Sequence, residues 1–152
     1  MTDDRIRVAL MCVRNAGRSQ MATAFAERER DRRDLGDAVA ILTGGTAPAD
    51  HVHSEVITVM EEVGFDLSDR SPQGITTEKL ESSDYVATMG CSTLDLDASR
   101  AQVDVRDWAL TDPEGEPLDR VRDIRDEVES RVKALFDEVE AELADRREQH
   151  SR

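Results

Sequence analysis

The chain has 152 residues, about the size of one domain, and its 34 acidic against 20 basic residues give a formal net charge of −14. Its summed field repels polyanions, so nucleic acid and anionic membranes are poor candidate partners. Aromatic residues make up only 3% of it, so a pocket here must recognise its ligand by charge and hydrogen bonds more than by stacking.

Ile6 to Met11 (IRVALM) is a nearly continuous apolar run ending at Cys12, the pattern of a strand buried on both faces of a parallel sheet. Ser19 to about Asp34 reads as a helix carrying Met21, Ala22, Phe25 and Ala26 on one side. Val39 to Leu42 is a second strand that stops at Gly44-Gly45. A second helix follows, with Val52, Val56, Val59, Met60 and Val63 at helical spacing and Gly64 as its C-terminal stop. Ser68 to Gly74 is loop by its Asp, Ser, Pro and Gly content, and Thr76 to Ser82 is one more short helix. Asp84 to Met89 is the third strand, leading into Gly90-Cys91, and Gln102 to Trp108 is the fourth, before the turn-rich segment Thr111 to Pro117. The last helix repeats Val121, Ile124, Val128, Val132, Leu135, Val139 and Leu143 at intervals of three and four. One catalytic domain is expected over residues 1–144, with 145–152 a polar tail that frays.

Strands alternating with helices imply an α/β fold with a parallel sheet and right-handed crossovers, and such sheets bind ligands at the carboxyl ends of their strands. Those ends are Cys12 to Ser19, Gly44 to Pro48, Gly90 to Ser92 and Trp108 to Pro113. In the first, Val13, Arg14, Asn15, Ala16 and Gly17 separate Cys12 from Arg18 between a strand and a helix. A loop of this length can wrap a tetrahedral oxyanion with its backbone N–H groups, while the helix starting near Arg18 aims its positive end at the same place. The same field favours the thiolate form of Cys12, the nucleophilic one. Arg18 offers a planar fork that can hold two oxygens at once. Ser19 can donate to the thiolate or to the departing sulfur. Asn15 tolerates left-handed backbone angles and can tie the loop together through its amide, and Gly17 allows close approach of backbone.

On the residues CVRNAGRSQMA the chain resembles the low-molecular-weight protein tyrosine phosphatase family, and its arsenate reductase branch more closely. TGGTAPADHVHSEVITVMEEVGFDLSDRSP, DYVATMGC and DWALTDPEGEPLDRVRDIRDEV are similar to further stretches of that branch, from about Arg5 to Phe136 in all. The resemblance implies a four-stranded parallel sheet with helices on both faces, a Rossmann-like three-layer sandwich. It also implies Cys12 as nucleophile, Arg18 as oxyanion binder and Asp112 of Asp112-Pro113 as general acid. Chemistry gives Asp112 the same role, since a departing oxygen needs a proton and a carboxylic acid on a loop at the strand ends can deliver it. Pro113 stiffens that loop, and Asp107 is a weaker acid candidate.

Two reactions compete. Arsenate reduction would have Cys12 attack arsenate, with a second thiol discharging the adduct; phosphomonoester hydrolysis would pass through a phosphocysteine cleared by water. Phosphotyrosine enzymes of the family usually follow Asp-Pro with an aromatic residue, where this chain has Glu114. Cys91 matches the position of the reductase branch's resolving cysteine, and the resemblance implies that it forms a disulfide with Cys12 during turnover. Thioredoxin-coupled members carry a further cysteine shortly afterwards, but Ser92-Thr93-Leu94-Asp95-Leu96 has none, so either a thioredoxin-like protein or a low-molecular-weight thiol is left as reductant. A noncatalytic anion-sensing protein is the alternative from another class, and the presence of Cys12, Arg18 and Asp112 argues against it.

Two cysteines are too few for a disulfide framework or a four-thiolate zinc site and suit a reducing compartment. With apolar runs far short of the roughly 18 residues a membrane span needs and no apolar targeting stretch, a cytoplasmic protein is expected. No metal or cofactor is expected. His51 and His53, two residues apart, would not share a helical face and read as surface or capping residues. Arg14 reads as a surface cation and Trp108 as packing beside the acid loop. Lys79 and Lys133 are the only lysines, and this arginine-rich, acidic surface suits a high-salt cytoplasm.

Overall fold

The computed structural model describes residues 5–12, 14–45, 47–89, 104–108 and 110–150. The elements are β1 (Ile6–Cys12), α1 (Arg18–Arg32), β2 (Val39–Gly45), α2 (Ser54–Glu61), α3 (Thr77–Glu81), β3 (Tyr85–Met89), β4 (Asp104–Asp107) and α4 (Leu118–His150). They build one four-stranded sheet in the order β2-β1-β3-β4, with every pairing parallel. All of β1 is buried except half-buried Arg7, and β3 is buried throughout, so helices and loops cover both faces of the central strands. The expected fold class holds.

Several boundaries depart from the sequence expectation, each for a local reason. β2 continues past Leu42 to Gly45 because its last residues pair with β1, Met11 with Gly44 and Cys12 with Gly45. This carries Thr43 to the end of the sheet where Cys12 lies. α1 ends at Arg32 because Asp34 takes a left-handed conformation (φ 56°) and Leu35 N–H returns to the Arg30 carbonyl at 2.8 Å. α2 is closed in the same way by Gly64 (φ 91°), as expected, with Phe65 N–H on the Met60 carbonyl at 3.0 Å. Residues 145–150, expected to fray, continue α4, and Arg146 there lies 3.3 Å from Glu142 one turn earlier. Of the fourth strand, Gln102 and Val103 lie outside the described residues.

Of the stripe read along α4, Val121, Ile124, Val128, Val132, Leu135 and Val139 are buried and Leu143 is half-buried, with Phe136 buried beside them. Each such aliphatic contributes roughly 1.5–3 kcal/mol of transfer free energy. α1 packs beside it, and Arg28 stacks over Phe25 and Phe65 while its guanidinium donates to Glu129 at 2.6 Å. Edge strand β4 is fastened to α4 by Arg106, which donates to Glu138 and lies over the Tyr85 ring. Its hydrogen bonds to Glu138 and then Asp104 hold that guanidinium's pKa above its ordinary value. Among the described residues no helix is both long and apolar enough to cross a membrane.

Candidate active site

Cys12 closes β1 and is almost completely buried, at 2% exposure. Its Sγ accepts the Asn15 backbone N–H at 3.2 Å and lies 3.0 Å from Ser19 Oγ. Asn15 sits at φ 52°, the left-handed geometry expected of it, and this turns the chain back over the sulfur. Its amide orientation is fixed because Oδ1 accepts from Gln73 N–H at 2.9 Å and from Gln20 Nε2 at 3.0 Å. Nδ2 therefore donates, to Ser19 Oγ at 2.7 Å and to Thr43 Oγ1 at 2.9 Å. With Ser19 Oγ accepting from Asn15, the serine proton is left to point at Sγ, so two donors converge on the sulfur.

The loop leads directly into α1, and Gly17 at the helix N-cap provides no side-chain cap. The first amides of α1 thus have no side-chain partner at the cap, the arrangement that suits an oxyanion. Arg14 is exposed, as expected of a surface cation, and its carbonyl accepts Ala49 N–H at 2.9 Å. Ala16 is buried, and its carbonyl accepts His53 N–H at 2.9 Å. Val13 and Cys91 lie outside the described residues.

The acid-loop candidates separate clearly. Asp112 is exposed, with Oδ1 accepting Glu114 N–H at 3.0 Å and Oδ2 3.7 Å from Arg18 Nη2. The other Arg18 η nitrogen donates to the Leu110 carbonyl at 3.0 Å. Asp107 is turned elsewhere, toward the Thr88 hydroxyl at 3.4 Å. Pro113 does more than stiffen its loop: a Cβ on Gly17 would stand 2.9 Å from its Cγ and 3.3 Å from the His53 ring. Only glycine lets the two loops meet this closely. Trp108 is buried beside the acid loop, as expected.

Thr43, Gln73, Gln20 and the Leu110 carbonyl were not singled out in the sequence. Position at a strand's carboxyl end was the available signal for Thr43 and Leu110. Removing the hub, Asn15→Ala, is expected to destabilise the fold by roughly 3 kcal/mol, from unpaired buried partners and an alanine at positive φ. Urea unfolding of the variant measures this; a loss below about 1 kcal/mol would show that the network contributes little to stability.

Residues 7–145 match the family model described as low molecular weight phosphotyrosine protein phosphatase. The chain belongs to this family. Within the phosphatase family it is 65% identical over 136 residues to a protein of Halobacterium salinarum named "Putative arsenate reductase", covering 90% of this chain and 94% of that one. A "Glutaredoxin arsenate reductase" of Synechocystis sp. is 32% identical over 134 residues, or 88% and 98% of the two chains. Among solved structures, a thioredoxin-dependent arsenate reductase of Corynebacterium glutamicum superposes with a TM-score of 0.75 at 30% identity, covering 93% of this chain and 65% of that one.

Proposed function

We propose that this family member is a thiol-dependent arsenate reductase. Cys12 is its nucleophile, residues 13–19 and the Arg18 fork hold the oxyanion, Asp112 is the general acid and Cys91 the resolving thiol. Arsenate enters the loop and the Cys12 thiolate forms an S–As bond as one oxygen departs as water, protonated by Asp112. The Cys91 thiolate then attacks Cys12 Sγ. An S–S bond forms, the S–As electron pair stays on arsenic, which falls from the +5 to the +3 state, and arsenite leaves. Two external thiol groups, themselves joined as a disulfide, supply the two electrons and protons that restore the cysteines.

The observation that carries reduction over ester hydrolysis is the 65% identity to a protein named for arsenate reduction. Strand register supports it: Cys12 pairs with Met89 on the neighbouring strand, so Cys91 follows only two residues later. Glu114 beside Asp112 would also repel acidic phosphopeptides. Phosphomonoester hydrolysis through a phosphocysteine is the alternative reading, supported by the family itself.

Relatives named for glutaredoxin and for thioredoxin leave both kinds of reductant in play, and with two cysteines in all the chain lacks the third thiol of a long relay. A thioredoxin-like protein or a low-molecular-weight thiol serves as the electron source. The reaction needs free thiols, which places it in the cytoplasm. The acidic, arginine-rich surface fits a cytoplasm of high salt.

Cys91→Ser separates the two chemistries. It is expected to keep hydrolysis of an aryl phosphate while losing repeated arsenate reduction, because water clears a phosphoryl adduct and only a thiol clears the arsenic one. Unimpaired multiple-turnover arsenite production by this variant would remove Cys91 from the mechanism. Arg18→Lys should slow either reaction by about 10²-fold or more, since a point charge replaces a two-point clamp. Near-normal steady-state rates would show that Arg18 does not hold the anion.

A further inference from the structure

The geometry points to a binding site for a divalent transition-metal ion at the mouth of the loop, formed by His53, Asp112 and Glu114. One imidazole nitrogen and two carboxylate oxygens from these residues all lie within 4.8 Å of one another. Around a zinc ion with bonds near 2.1 Å, such atoms stand about 3.4 Å apart, so modest rotations of the two exposed carboxylates complete the set. A single nitrogen with two oxygens, and solvent in the remaining positions, suits zinc, cobalt, nickel or manganese.

The site is held by contacts that do not depend on a metal. His53 is half-buried, its N–H bonded to the Ala16 carbonyl, and its ring lies 3.3 Å from the Cβ position of Gly17. Pro113, between the two carboxylates, rests on the same glycine. The histidine and the carboxylates therefore face each other across the meeting line of the oxyanion loop and the acid loop. Arg18 competes as a cation, 3.7 Å from Asp112 Oδ2, a separation longer than a hydrogen bond and open to displacement. A chain of net charge −14 further favours cation approach.

A bound ion would occupy the Asp112 carboxylate, pull it from Arg18 and lock the two loops together, so divalent metal is a reversible inhibitor. The inhibition rests on Asp112 acting as the acid in the proposed reaction; the binding does not. The test therefore reads binding directly, by calorimetric titration of zinc chloride into the full chain carrying Cys12→Ser and Cys91→Ser, which removes both thiols as competing ligands. One zinc ion is expected per chain. Adding His53→Gln or, separately, Glu114→Gln should weaken it roughly tenfold or more, with circular dichroism confirming that the fold is kept. In parallel, zinc should inhibit aryl phosphate hydrolysis by the wild type and lose that effect in His53→Gln. Zinc binding that disappears with the two cysteines, or that is unchanged by both His53→Gln and Glu114→Gln, would overturn the site. Binding that is intact without inhibition would keep the site and remove Asp112 from the acid role.

Discussion

Cys12→Ser is expected to abolish arsenate reduction and aryl phosphate hydrolysis together, by roughly 10⁴-fold or more, while oxyanion binding survives. The donors around the sulfur, Asn15 N–H at 3.2 Å and Ser19 Oγ at 3.0 Å, suit an anion at this position. A serine hydroxyl remains an alcohol at neutral pH and cannot exploit them as a thiolate does. The exchange is nearly isosteric and the surroundings are polar, so the loop, the start of α1 and Arg18 should keep their places. Arsenate or phosphate binding, read by calorimetry, should stay within a fewfold of wild type. Substantial turnover by the serine variant would mean that the nucleophile lies elsewhere.

Asp112→Asn comes next in size. The amide can still accept the Glu114 N–H that shapes the turn, because its oxygen can take the place of Oδ1, so the loop should hold its form. What it loses is the proton it must give. Ester hydrolysis should slow by roughly 10² to 10⁴, most for leaving groups of high basicity and least for those that depart unaided. Rates measured over a series of aryl phosphates decide the matter: equal slowing across the series would show that Asp112 does not protonate the leaving oxygen.

What could be read from the sequence was whatever is local in the chain. Cys12, Asn15, Gly17, Arg18 and Ser19 lie within one turn-and-helix start, and their spacing alone defined the loop's shape and charge. The left-handed Asn15, the Gly64 stop and the buried stripe of α4 follow from single-residue preferences and helical period, and so were legible too. Residues that arrive from other segments were not. Thr43 joins the network only because β2 runs on to Gly45, which pairing with β1 decides. Gln73 supplies a backbone N–H, which no side-chain pattern announces. His53 was read beside His51, its neighbour in sequence, whereas the fold places it against Asp112 and Glu114. Asp112, already preferred over Asp107 on the resemblance, is the one of the two that lies beside Arg18.

The central claim is that electrons for arsenate come from Cys12 and Cys91 of the same chain. Arsenate would be added to fully reduced protein with no other thiol present, and arsenite and the state of both cysteines followed together. One arsenite per chain, accompanied by an intramolecular Cys12 to Cys91 disulfide found by peptide mass analysis, is the expected result. Stoichiometric arsenite release with both thiols still free would contradict it.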